Sequence, residues 1–210
     1  ALRELGYRTR YMTGIVFNVS LYQKIIGAVS YRNAPDVFNV YSFMYAMAKL
    51  FFCGRVITAG TMLFEETRFT KTTITNNIKS HPNIFYFEPN GRQSQILCGV
   101  KNLKELPLNN EQRIFMLFKI YYETVKVAMR IFEEDQLDRY QQLIPDHYTT
   151  FLEHINGFKR ETVINMLYEA TVECAEREEI CTRKEFEYAI SSNAEIKAYL
   201  RGEQANARYY

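Results

Sequence analysis

The stretch NEQRIFMLFKIYYETVKVAMRIFEE, residues 110–134, decides the fold. Its apolar side chains recur every three or four positions, which is the spacing of one face of an α-helix. They are Ile114, Leu117, Phe118, Tyr121, Tyr122, Val125, Ala128, Met129, Ile131 and Phe132. Asn110 is the predicted N-cap. A helix of this length would span about 37 Å, so we expect other helices to pack around it.

Helical patterns continue on the C-terminal side of this stretch. We predict helices over residues 136–144, 148–156 and 159–179, the second capped by Asp146 and ended by Gly157. Thr182 and Glu185 have the spacing of a capping box and open a helix through Ile190, and Asn193 opens a last helix over 194–201.

The N-terminal side is more varied. Ser20 is a candidate cap for a first helix, and residues 36–52 form a second one that is apolar almost all round. We interpret the second as a buried core helix and not as a membrane span, because its 17 residues include Lys49 and a span needs about 20 apolar residues. A short helix is predicted over 57–66.

One segment carries a β pattern. Residues 84–87 and 95–100 are short apolar runs, and the Glu88-Pro89-Asn90-Gly91 sequence between them is typical of a turn. This predicts a β-hairpin with Arg92 near its tip. The predicted fold class is therefore mainly α, an irregular bundle of about eight helices with one β-hairpin around 84–100.

The predicted domain organisation has three parts. Residues 1–13 are a basic-aromatic arm, residues 14–201 are a single helical domain, and residues 202–210 are a tail. A division of the helical domain into two lobes near 101–109 stays open.

The net charge of +2 hides an uneven distribution. Residues 1–110 contain 13 Lys and Arg against 6 Asp and Glu, giving +7, whereas residues 111–210 contain 13 against 18, giving −5. The basic half could face an anionic partner such as nucleic acid or a lipid surface. Alternatively, it could meet the acidic half of another copy, head to tail. In a third reading the charges solvate scattered faces.

Motifs of known chemistry are missing from the sequence. It has no GxSxG, GxGxxG, HExxH or phosphate-binding glycine loop. The four cysteines form no CxxC pair and are too sparse for a disulfide scaffold, and no signal-peptide pattern opens the sequence. We expect reduced thiols, no metal, no cofactor, and a location inside the cell or within an assembled particle.

Arginine and tyrosine in the arm and the tail are typical of side chains that bind partners. We predict a homo-oligomer or filament that assembles through Tyr7, Tyr11, Arg208, Tyr209 and Tyr210. The residues predicted to contact a nucleic-acid backbone are Arg3, Arg8, Arg10, Arg55, Arg68, Lys71, Lys79 and Arg92.

Three functions are consistent with these features of the sequence. The favoured one is a non-enzymatic, self-assembling subunit with an architecture like that of capsid or nucleocapsid proteins, which are viral structural and RNA-binding proteins. The first alternative is a helical adaptor that binds another protein through a groove. The second is a small all-α enzyme whose polar site would include His81, His147 or Glu153.

Overall fold

The computed structural model describes residues 19–26, 88–143, 145–194 and 196–198. Seven α-helices are defined there: α1 (Val19–Ile26), α2 (Pro89–Lys104), α3 (Asn110–Ala128), α4 (Glu134–Leu143), α5 (Tyr148–Ile155), α6 (Arg160–Arg177) and α7 (Arg183–Ser192). Two 3-10 helices, Met129–Phe132 and Pro145–His147, join some of them. No strand occurs in these ranges, so the mainly α prediction is confirmed. The helices predicted over 36–52 and 57–66 lie outside the described residues.

The predicted β-hairpin is wrong, because residues Pro89–Lys104 form helix α2. Pro89 stands in the first turn, where its fixed φ suits a helix and no backbone N–H is needed. Ile96, Val100 and Leu103 are at most 1% exposed, and their spacing of four and three residues is helical. Burial of this stripe against α3 and α6 outweighs the local turn preference of the Pro-Asn-Gly sequence.

Helix α3 is the central helix that the sequence predicts. Its N-cap is Asn109 and not Asn110: the Asn109 Oδ1 accepts from the Gln112 backbone N–H at 2.9 Å, and the Gln112 Oε1 accepts from the Asn109 N–H at 3.1 Å. All side chains from Ile114 to Lys119 are buried. The helix therefore enters the core with every face covered, while the segment from Ile120 onward is half-buried.

The central helix is shorter than predicted, because it ends at Ala128 and continues as a 3-10 turn to Phe132. Glu133 is extended, and its carbonyl accepts from the N–H groups of Gln136 and Leu137 in α4. This bend allows α4 and α5 to fold back, so that Tyr140 and Phe151 pack with Ile131 in a second apolar cluster. The gain from that burial outweighs the loss of the last α-helical hydrogen bonds.

Helices α2, α3 and α6 pack against one another and form the main core. Helix α7 packs on α3 and α6 through Phe186 and Ala189. Its N-terminus has the predicted capping box, in which the Thr182 N–H donates to the Glu185 Oε2 at 2.7 Å. Leu106 and Leu108, from the segment between α2 and α3, belong to the same core. The domain boundaries proposed above stay predictions.

Two further helix ends match the sequence closely. Gly157 has φ 99 and follows α5, as predicted, because glycine takes the left-handed conformation without steric cost. The Ile196 N–H donates to the Asn193 Oδ1 at 3.1 Å, so Asn193 caps the turn after α7. Asp146 is not the cap of α5, since His147 holds that position and no side chain caps it.

Candidate functional site

Arg92 is buried near the start of helix α2. The residue is only 2% exposed, and its Nη1 donates to the Gln95 Oε1 at 3.1 Å. The assignment of Arg92 to a protruding hairpin tip is therefore wrong, and it fails for the same reason as the hairpin.

The other predicted binding residues stay predictions, because they lie outside the described residues. They are Arg3, Arg8, Arg10, Arg55, Arg68, Lys71 and Lys79 for nucleic acid, and Tyr7, Tyr11, Arg208, Tyr209 and Tyr210 for the interface.

A buried carboxylate marks the start of α2. The side chain of Glu88 is 3% exposed, and its Oε2 lies 3.0 Å from the Nδ1 of His154, which is 38% exposed. The pair ties the N-terminus of α2 to α5 across 66 positions of sequence. Sequence reasoning missed it, because no local pattern connects residues so far apart.

An open groove lies between the end of the 3-10 turn and helix α5. Its volume is about 470 Å³, and Phe132, Leu152 and Phe158 supply its apolar surface. Thr149, Glu153 and Asn156 supply polar groups. Of the three residues considered for an enzyme, Glu153 lines this groove, His147 does not, and His81 lies outside the described residues.

The Arg160 guanidinium stands at the edge of the groove. Its Nη2 donates to the Phe132 carbonyl at 3.2 Å, and its Cζ lies 5.3 Å from the centre of the Phe132 ring. The carbonyl lies at the end of the central helix, where the last carbonyls have no partner within the helix, and the arginine donates a hydrogen bond to it. The guanidinium also holds the ring in place by a cation–π contact. The apolar wall of the groove is thus fixed by side chains of two segments.

Helix α7 presents a mostly polar outer face that carries one exposed aromatic ring. Tyr188 is 72% exposed, the largest exposure among the large apolar residues of the described ranges. Lys184 is one turn before it, and Ser191 and Ser192 are one turn after it. Tyr188 was not predicted as a binding residue. The pattern that could have indicated it is a tyrosine on a helical face whose other residues are polar.

A network of charged side chains joins α6 to α7. The Nη1 and Nη2 of Arg183 donate to the two carboxylate oxygens of Glu169 at 2.9 and 2.6 Å, and the Tyr168 hydroxyl donates to the Glu187 Oε1 at 3.0 Å. The Arg183 hydrogen bonds lower the pKa of Glu169. Burial and the hydrogen bond to Glu187 raise the pKa of Tyr168. These groups hold two helices together.

The cysteines in the described part of the chain are buried thiols: Cys98, Cys174 and Cys181. Burial raises the pKa of Cys174 and raises that of Cys181 to about 11. A thiol with a raised pKa is a poor nucleophile at neutral pH, because the thiolate is the reactive form. The three side chains therefore serve as core residues in this fold.

In the described ranges, no three His, Cys, Asp or Glu side chains come together as metal ligands. None of the helices there has both the length and the apolar character of a membrane span. Comparison of the chain with family models, curated proteins and solved structures finds no match.

Proposed function

We propose that this protein is a non-enzymatic structural subunit that assembles with copies of itself, and that its basic N-terminal half binds a nucleic-acid backbone. The observation that carries the proposal is the division of charge along the sequence. Residues 1–110 carry a net charge of +7, whereas residues 111–210 carry −5.

Charges divided in this way favour contacts between copies. The acidic C-terminal half of one chain attracts the basic N-terminal half of the next, which promotes head-to-tail association. The same basic half attracts phosphates without reading sequence. The Arg183–Glu169 ion pair joins α6 to α7, and the Glu88–His154 contact joins the residue before α2 to α5, which suits a structural body.

The test is the mass of the full chain in solution as a function of salt. Sedimentation velocity at about 0.1 M and about 1 M salt compares a Debye length of about 10 Å with one of about 3 Å. We expect oligomers at low salt that dissociate at high salt. We also expect gel shifts with generic single-stranded RNA that weaken over the same range. A chain that stays monomeric at every concentration and salt, and binds no RNA, would contradict the proposal.

The groove beside α5 supports a second candidate function, that of an adaptor. An exposed apolar groove on a helical protein can bind an amphipathic helix of another protein. Leu152, exposed by 36%, gives the groove the apolar surface that such a ligand needs. The adaptor would be monomeric alone at all salt concentrations and would not bind RNA, so the same two measurements separate the candidates.

A further inference from the structure

The groove beside α5 has an apolar wall next to an acidic group. Leu152 is 36% exposed, and the half-buried rings of Phe132 and Phe158 line the groove with it. Glu153 follows Leu152 directly and is exposed. Within the part of the chain that the structure describes, the Glu153 carboxylate makes no ion pair. The Arg160 guanidinium is held against the carbonyl and ring of Phe132, so the groove is suited to an apolar or aromatic side chain that has a cation on the Glu153 side.

The outer face of α7 offers that combination. The Tyr188 ring is 72% exposed, and Lys184 lies four positions earlier, which places the two side chains about 6 Å apart on one helical face. The Lys184 ammonium makes no ion pair with any described residue. Tyrosine is among the side chains that contribute most to the binding energy of interfaces, and serines such as Ser191 and Ser192 are typical of their polar rims.

We propose that Tyr188 of one copy docks into the groove beside α5 of a second copy, with Lys184 facing Glu153. The occupant is a second copy because the chain itself carries both complementary parts: an aromatic ring beside a cation, and an apolar groove beside an acid. The contact is not made within one chain, since the Tyr188 ring is exposed there. The inference rests on the proposed self-assembly and identifies one contact that would produce it.

The two surfaces belong to different helices and share no residue. A contact between unlike surfaces is heterologous, so each bound copy still offers one unused surface to the next. Repetition of this contact gives a ring or a filament. An isologous dimer would stop at two copies, which makes the two arrangements distinguishable.

The first experiment measures association of the full chain by sedimentation velocity at low salt. Tyr188→Ser removes the ring, and Leu152→Lys places a cation in the groove that would repel Lys184. Both sites are exposed enough for the fold to tolerate the change, which circular dichroism would check. We expect each variant to associate about thirtyfold more weakly, the effect of losing an interface hot spot. Unchanged association of both folded variants would overturn the docking proposal and leave self-assembly intact.

Mixing the two variants is the decisive step. Tyr188→Ser retains the groove, and Leu152→Lys retains the tyrosine, so the mixture can form one native contact per pair and cannot extend it. We expect dimers in the mixture and monomers in each variant alone. A mixture that stays monomeric, or that forms long oligomers, would overturn the docking proposal. Wild-type protein that is monomeric at all concentrations would overturn the proposed function as well.

A charge exchange tests the cation and the acid without altering the apolar contact. Lys184→Glu and Glu153→Lys should each weaken association, and the double variant should restore it, because the pair is then inverted. Lys197→Glu, at another exposed lysine, is the matched control and should leave association unchanged. If the double variant associates no more strongly than the single variants, the proposed contact between Lys184 and Glu153 is wrong.

Discussion

The hydrogen bond between Glu88 and His154 places a carboxylate in the interior beside a partly exposed imidazole. A buried carboxylate needs a donor to offset its lost hydration, and the imidazole supplies one. The contact links the first residue before α2 to the last turn of α5. At the scale of single residues, this contact joins two segments that lie 66 positions apart in the sequence.

We expect His154→Ala to lower the free energy of unfolding by about 1–2 kcal/mol, since a hydrogen bond to a charged group contributes about 1.5–3 kcal/mol and the exposed side of the imidazole reduces this. Urea unfolding would measure it. His147→Ala is the control, because His147 stands at the start of the same helix and makes no side-chain hydrogen bond to a described residue. Equal losses in the two variants would show that the Glu88 contact contributes nothing specific.

The thiol of Cys181 predicts how stability depends on alkaline pH. Burial raises its pKa from 9.0 to about 11 in the folded chain. As the pH rises, the thiol therefore loses its proton in the unfolded chain before it does so in the folded chain. The stability that the buried neutral thiol contributes is complete below pH 9 and is lost as the pH rises towards 11. We expect the free energy of unfolding to fall by about 1–3 kcal/mol over this window, with a smaller fall in Cys181→Ala. Urea unfolding at the two ends of the window tests it, and the same slope in both proteins would contradict it.

At the scale of elements, the cap of the central helix gives a matched pair of substitutions. Asn109 bonds the backbone of Gln112 with its side chain, whereas the adjacent Asn110 is the exposed first residue of α3. Asn109→Ala should cost about 1 kcal/mol of unfolding free energy, the usual effect of losing an N-cap. Asn110→Ala should cost almost nothing. Thermal or urea unfolding of the two variants measures the difference. A larger loss of stability in Asn110→Ala than in Asn109→Ala would contradict the assignment of Asn109 as the N-cap.

The end of α6 stores a small amount of backbone strain. Glu179 has φ 55, and the N–H groups of Glu179 and Ile180 donate to the carbonyls of Glu176 and Ala175. This is the Schellman arrangement, in which the left-handed residue is usually glycine. We expect Glu179→Gly to raise the free energy of unfolding by about 0.5–1 kcal/mol, because the left-handed conformation costs other residues about 1–2 kcal/mol.

Glu179→Ala is the control for that substitution. It removes the same carboxylate, including the long and exposed contact with Lys104, and it keeps the strain. We expect it to leave stability unchanged or slightly reduced, since an exposed ion pair of this kind contributes little. If alanine stabilises as much as glycine, the effect comes from the charge and not from the backbone.

The elements show which parts of the fold the sequence could predict. The capping box of α7 and the end of α5 at Gly157 are encoded within a few residues, and both predictions are confirmed. Helix α2 was predicted as a hairpin, because its turn-like Pro-Asn-Gly start is local while the surfaces that bury Ile96 and Val100 come from α3 and α6. The position of the groove beside α5 and the exposure of Tyr188 on α7 were not predicted, since they depend on how several elements pack.

At the scale of the whole molecule, charge is divided along the sequence: residues 1–110 carry +7 and residues 111–210 carry −5. The residues predicted to contact nucleic acid all belong to the basic half. Backbone binding is a sum over phosphate contacts, each of which releases counterions. The number of contacts can therefore be counted from the salt dependence of binding, even where no single residue dominates.

The corresponding prediction concerns four basic residues of the segment 55–79 changed together to Gln. If each contacts one phosphate of single-stranded RNA, the slope of log affinity against log salt should decrease in magnitude by about 3. Four basic residues of the acidic half changed to Gln are the control and should alter the slope much less. Fluorescence anisotropy across a salt series measures both. Equal decreases would mean that RNA senses only the net charge, because both sets remove four cations and differ only in their location. The test set is Arg55, Arg68, Lys71 and Lys79, and the control set is Lys126, Arg139, Lys159 and Lys197.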